Sequence, residues 1–213
     1  MTGGWSSEKG LGLWILLGFL GCAGTLGAAP LDDAVAQYKQ RHFAEARALL
    51  ERLVAVEPPN AQAAYFLGMT LFRAGGPGAL DAAHLWLGRA VKLAPGNTGC
   101  LAEYAGVCLL MADRDSSLSL AIEGRDDMTQ AIAAAPGNLD AREGLMRFYA
   151  KAPWPLGDSG RALDQAAEIA RRDPARGLAA YRSLVGTFKR AGRQEAAQSA
   201  AEAAQSLARG PPQ

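Results

Sequence analysis

One phrase recurs five times along this chain: an apolar helical stretch, a Gly or a charged turn, a second stretch centred on Ala, then Pro. The prolines of the clearest copies are Pro58, Pro95, Pro136 and Pro174, and Asn60, Asn97 and Asn138 follow the first three. Proline ends a helix and Asn is a favoured N-cap, so each Pro-x-Asn closes one helix and opens another. Self-similarity at this period means stacked helical units, because one helix pair is too small to bury its own apolar face. Arrays of this kind present a surface rather than assemble a reaction centre.

The balance of residues agrees with that reading. Formal net charge is +1 over 213 residues, with 49% hydrophobic and 20% charged, so no basic excess points to nucleic acid. Aromatics are 7%, alanine is abundant, and no stretch alternates with period two over strand length. The expectation is an all-α chain. Cys100 and Cys108 share one predicted helix with backbones about 12 Å apart. That exceeds the roughly 7 Å limit for a disulfide, and both read as small buried hydrophobes.

The amino-terminal segment 1–29 is set apart. Leu11 to Ala23 is an uncharged apolar run preceded by Lys9 and followed by Gly24, Thr25, Gly27, Ala28 and Ala29, the layout of an export signal. Three readings stay open: a signal cleaved after Gly27 or Ala23, acylation of Cys22, or an uncleaved membrane anchor. The second rests on Phe19-Leu20-Gly21-Cys22, which resembles a lipobox but departs from it at Phe19 and Leu20. The third rests on length, since Leu11 to Ala29 is about a minimal span. All three place the protein outside the cytoplasm, periplasmic or anchored to the envelope membrane.

Aligned on the prolines, residues 30–207 form five units of about 34 residues, with a short tail at 208–213. The first has Ala34, Phe43, Ala46, Leu50, Leu53 and Pro58. The second has Ala64, Leu67, Gly68, Leu71, Gly75, Ala83, Leu87, Ala90 and Pro95, with a turn widened at Gly76-Pro77-Gly78. The third has Leu101, Tyr104, Ala105 and Cys108, then an insertion of about two helical turns, then Met128, Ala131 and Pro136. That insertion predicts a second helix starting near Leu118. The fourth has Leu145, Met146, Tyr149, a Pro153-Trp154-Pro155 turn, Ala162, Ala166, Ile169 and Pro174. The fifth has Leu184, Thr187, Gly192, Ala196, Ala200 and Ala203. This pattern resembles the tetratricopeptide repeat, strongly in units one, two and four. The resemblance implies an α-solenoid of antiparallel helix pairs wound into a right-handed superhelix, with the first helix of each pair (helix A) lining a concave groove.

Carried over position by position, the resemblance puts Leu31, Val35, Tyr38, Tyr65, Met69, Phe72 and Arg73 on the inner wall of the first half. In the second half it puts Glu103, Gly106, Arg147, Lys151, Tyr181, Phe188 and Lys189 there. Exposed aromatics beside basic groups suit capture of a protein or peptide, the apolar surface holding and the charges setting register. Carboxylate-clamp arrays of the same family use Lys and Asn at groove positions held here by Leu31, Val35 and Phe66, which argues against that mode.

Signals for chemistry are sparse. Neither His42, in a turn, nor His84, on a second helix, has another ligand at metal spacing in the sequence, so no metal and no cofactor is expected. Gly157-Asp158-Ser159-Gly160 resembles the nucleophile stretch of trypsin-like proteases, yet it sits in a helical turn where Asp and Ser serve as caps. The chain reads as a non-enzymatic adaptor for a protein or peptide partner in an envelope assembly. The alternative is a self-associating scaffold with an empty groove.

Overall fold

A computed structural model describes residues 28–56 and 58–209. Ten helices, and no strands, occur among them: α1 (Ala28–Lys39), α2 (Phe43–Val54), α3 (Ala61–Ala74), α4 (Ala79–Leu93), α5 (Thr98–Asp115), α6 (Leu118–Ala134), α7 (Leu139–Lys151), α8 (Ser159–Arg172), α9 (Pro174–Arg190) and α10 (Gln194–Arg209). Each packs on the next in the chain, α1 also meets α3, and α7 meets both α5 and α9. This is the expected α-solenoid of helix pairs, with α1, α3, α5, α7 and α9 as helices A. The segment before Ala28, including the acylation candidate Cys22, lies outside the described residues, as does the chain end from Gly210. At the boundaries α1 starts two residues before Pro30, and α10 runs on through Arg209.

The punctuation works as side-chain chemistry predicts. Asn60 Oδ1 accepts from the backbone N–H of Gln62 at 2.9 Å and Ala63 at 3.0 Å, while Asn97 and Asn138 accept from Cys100 and Ala141, each at 3.0 Å. Each therefore satisfies a helix donor that has no intrahelical partner. Asp158 does the same for α8 through Arg161 N–H at 3.0 Å. The trypsin-like tetrapeptide is thus a helix start. In the third unit α6 begins at Leu118, capped by Ser117, and the insertion is absorbed by α5 of 18 residues and α6 of 17.

Helices within a pair close tightly because small residues stand where they cross. A Cβ on Gly68 of α3 would lie 2.8 Å from Leu87 Cγ and 3.1 Å from Leu87 N of α4. Between pairs, a Cβ on Gly177 of α9 would come within 2.8 Å of the Ala170 backbone nitrogen of α8. The interior is a succession of overlapping layers, as a repeat array requires. One joins Leu31, Ala34, Ala46, Leu50, Ala63 and Leu67 across the first two units. Another runs from Ala105 and Met128 through Leu145 and Ile169 to Phe188 and Ala200.

Candidate functional site

Four inner-wall expectations fail on burial. Met69 is 2% exposed, packed with Ala83, Leu87 and Val107 between α3, α4 and α5. Tyr181 is 8% exposed and Phe188 fully buried, both inside the layer shared by α7 to α10. Leu31 belongs to the first core layer. The reason is geometric: helix A touches its own partner helix on one side and the adjoining units on another. Only a narrow strip of it therefore stays open. These four side chains hold the units together and line no open surface.

Tyr38, Tyr65 and Phe72 keep part of their surface. The Tyr38 ring meets Phe66 edge-on at 5.4 Å, Phe66 meets Tyr65 at 5.1 Å, and Tyr38 lies 6.1 Å from Phe43. Such pairs add about 0.5–1.5 kcal/mol beyond the area they bury. Arg73 is exposed and reaches to 5.9 Å from the Phe72 ring centre. Burial raises the Tyr65 hydroxyl pKa, Glu103 and Tyr38 adding to it and Arg73 opposing.

Beyond these rings the face formed by helices A turns charged. Burial raises the Glu103 carboxyl pKa, with Arg73 of α3 and Arg147 of α7 pulling it back and Asp140 pushing it up. Arg147 pairs with Glu143 at 3.8 Å, and Arg176 of α9 pairs with Asp140 at 2.7 Å and Glu143 at 2.8 Å. A band of alternating charge thus crosses α3, α5, α7 and α9. Asp140, Glu143 and Arg176 were not anticipated, since their pairing depends on which helices A become neighbours. Lys151 and Lys189 are exposed in the last turns of α7 and α9, and Arg73 stands in the last turn of α3. Cations there complement the negative helix ends, which the fold favours whatever is bound.

A second constellation lies elsewhere. His84 of α4, Tyr104 and Cys108 of α5 and Glu123 of α6 converge, and His84, Cys108 and Glu123 each bring a ligand atom within 4.8 Å of the others. Tyr104 Oη sits 3.1 Å from His84 Nε2 and donates to Glu123 Oε1 at 2.7 Å. Cys108 is fully buried, and burial pushes its thiol up to about 12, with Glu123 and Asp127 adding and the neighbouring Tyr104 hydroxyl opposing. The expectation that His84 has no ligand companions is corrected here. Its companions come from two other helices and form no sequence spacing. His42 stays at the surface, its Nδ1 2.9 Å from Gln37 Oε1.

A shallow cleft between α6, α7 and α8 is lined by Thr129, Ile132, Leu145, Tyr149, Arg161, Asp164 and Gln165. None of these is an expected groove residue. No described helix is long and apolar enough to cross a membrane.

No family model and no curated protein matches the chain. The fold does have solved counterparts. MamA of AMB-1 superposes with TM-score 0.62 at 19% identity, over 86% of this chain and 92% of that one. A MamA RS-1 ArsTM double mutant gives 0.65 at 17% identity, over 87% and 96%. TTC0263, a thermophilic TPR protein of Thermus thermophilus, gives 0.62 at 17% identity, over 83% and 88%. At such identities the likeness establishes the tetratricopeptide-type solenoid fold.

Proposed function

We propose that this protein is an interaction scaffold that binds a protein or peptide segment along the face formed by helices A, and that it acts outside the cytoplasm in a cell-envelope assembly. One observation carries the binding reading: the half-open aromatic group of Tyr38, Tyr65, Phe66 and Phe72 continues into the charged band from Arg73 to Arg176. Apolar rings beside paired charges are what a peptide needs for affinity and for register. The aromatic end takes apolar side chains. The band selects a segment that can replace its internal ion pairs.

The place of action rests on the apolar run Leu11–Ala23 and on analogy with exported helical-repeat proteins, which is associational. Fractionation tests it: full-length soluble protein in the cytosol refutes export. Binding is tested by cross-linking capture from envelope extract with the wild-type chain and a Tyr65→Ala, Phe72→Ala double variant. A partner held equally by both refutes the face. Exposed Leu118 and Ile122, one turn apart on α6, favour the second reading of self-stacking. Sizing across a concentration series then shows an oligomer that Leu118→Glu dissolves.

A further inference from the structure

We propose that His84, Cys108 and Glu123 form a binding site for a zinc-class divalent ion that ties the second repeat unit to the third. Three observations carry it. An imidazole nitrogen, a thiol sulfur and a carboxylate oxygen, the donor set zinc favours, arrive from three helices with their ligand atoms within 4.8 Å of one another. Zinc bonds of about 2.0–2.3 Å need ligand atoms somewhat closer than this, so contraction of about an ångström completes the site. Next, the repeat itself does not call for these residues. Where the second unit has Leu67 and Leu71 and the fourth has Leu145 and Tyr149, the third has Tyr104 and Cys108. Finally, burial is graded across the cluster: Cys108 is enclosed, His84 half-buried and Glu123 exposed, so an ion can enter from the Glu123 side.

The proton accounting is simple. Tyr104 gives its hydroxyl proton to the hydrogen bond with Glu123, so His84 presents Nε2–H to Tyr104 Oη. On binding, the Tyr104 hydroxyl swings out of the Nε2 lone-pair direction it now occupies, and His84 shifts to the Nδ1–H tautomer so that Nε2 takes the ion. Cys108 releases its thiol proton to solvent, and Glu123 binds as carboxylate. Water takes the fourth position. Tyr104 keeps its hydrogen bond to Glu123 and acts as a positioning residue.

The test is titration of the metal-stripped full chain with Co(II), reading the sulfur-to-cobalt charge-transfer band, followed by displacement with Zn(II). One equivalent is expected, with a rise in melting temperature because the ion binds only the folded chain. Cys108→Ser abolishes the band, while Cys22→Ser and Cys100→Ser keep it. His84→Gln and Glu123→Gln, both at accessible positions, retain the helical circular dichroism yet weaken Zn(II) at least tenfold. Tyr104→Phe weakens it about tenfold, as outer-shell changes do. A band that survives Cys108→Ser, unchanged zinc affinity in folded His84→Gln, or no band at all overturns the site.

Discussion

Gly68 of α3 and Leu87 of α4 are in such close contact that even a methyl group on the glycine would stand 2.8 Å from the leucine Cγ. The contact fixes how near α3 and α4, the helix pair of the second unit, can lie. Gly68→Leu must push Leu87, itself fully buried, off its rotamer or spread the pair. The expected loss is about 1–3 kcal/mol. Combining it with Leu87→Ala makes room, so the double variant should lose less than the sum of the single changes. Urea denaturation of the four chains measures the coupling.

Caps supply a second prediction. Asn97 and Asn138 each accept one backbone N–H at 3.0 Å, but Asn138 also donates through Nδ2 to the Thr98 carbonyl at 3.3 Å. It therefore joins the start of α7 to the start of α5. Asn97→Ala should cost about 1 kcal/mol, and Asn138→Ala about 1 kcal/mol more for the second hydrogen bond. Equal losses in thermal or urea melts mean that the bond to Thr98 contributes nothing.

Both of these positions are legible in the sequence, for different physical reasons. Asn138 is legible because capping depends on the few residues that follow it. Gly68 is legible because the repeat marks a small residue at that crossing. Leu118 as the start of α6 follows from helical phase alone. Met69, Tyr181 and Phe188 are misread because periodicity gives the direction of a side chain and not the helix it meets there. For Phe188 that neighbour is the layer built from α7 to α10. His84, Cys108 and Glu123 lie on three helices of two units, so only the packed solenoid brings them together.

Glu103 gives the stability of the fold a pH dependence of definite sign. Burial is the main reason that its folded pKa is raised, Asp140 adds to it, and Arg73 and Arg147 oppose it without cancelling it. An acid with a raised folded pKa binds more protons folded than unfolded. Its contribution is fully present below the ordinary carboxylate value and is lost as pH rises through the folded pKa. Glu103→Gln removes that loss. Urea denaturation should find the variant more stable than wild type at pH 7, with the advantage shrinking by pH 4. An advantage independent of pH would assign the effect to packing.

The aromatic end of the binding face and the core beneath it should respond differently to truncation. Leu67 and Met69 are buried, and Leu67→Ala or Met69→Ala should each cost about 2–5 kcal/mol of stability. Tyr65 and Phe72 are half-buried, so Tyr65→Ala and Phe72→Ala should cost about 1–2 kcal/mol through the apolar area they do cover. Their larger signature lies in binding, where each should weaken a captured partner by about 1–2 kcal/mol, as truncated interface aromatics do. Arg73→Glu removes the nearby cation that opposes the raised pKa values of Tyr65 and Glu103. It should mainly slow association and alter its salt dependence, because a rim charge steers more than it holds. Paired denaturation and affinity measurements separate the cases. If Tyr65→Ala and Phe72→Ala lose stability as Leu67→Ala does while affinity per folded molecule is unchanged, the aromatic group belongs to the core and the partner binds elsewhere.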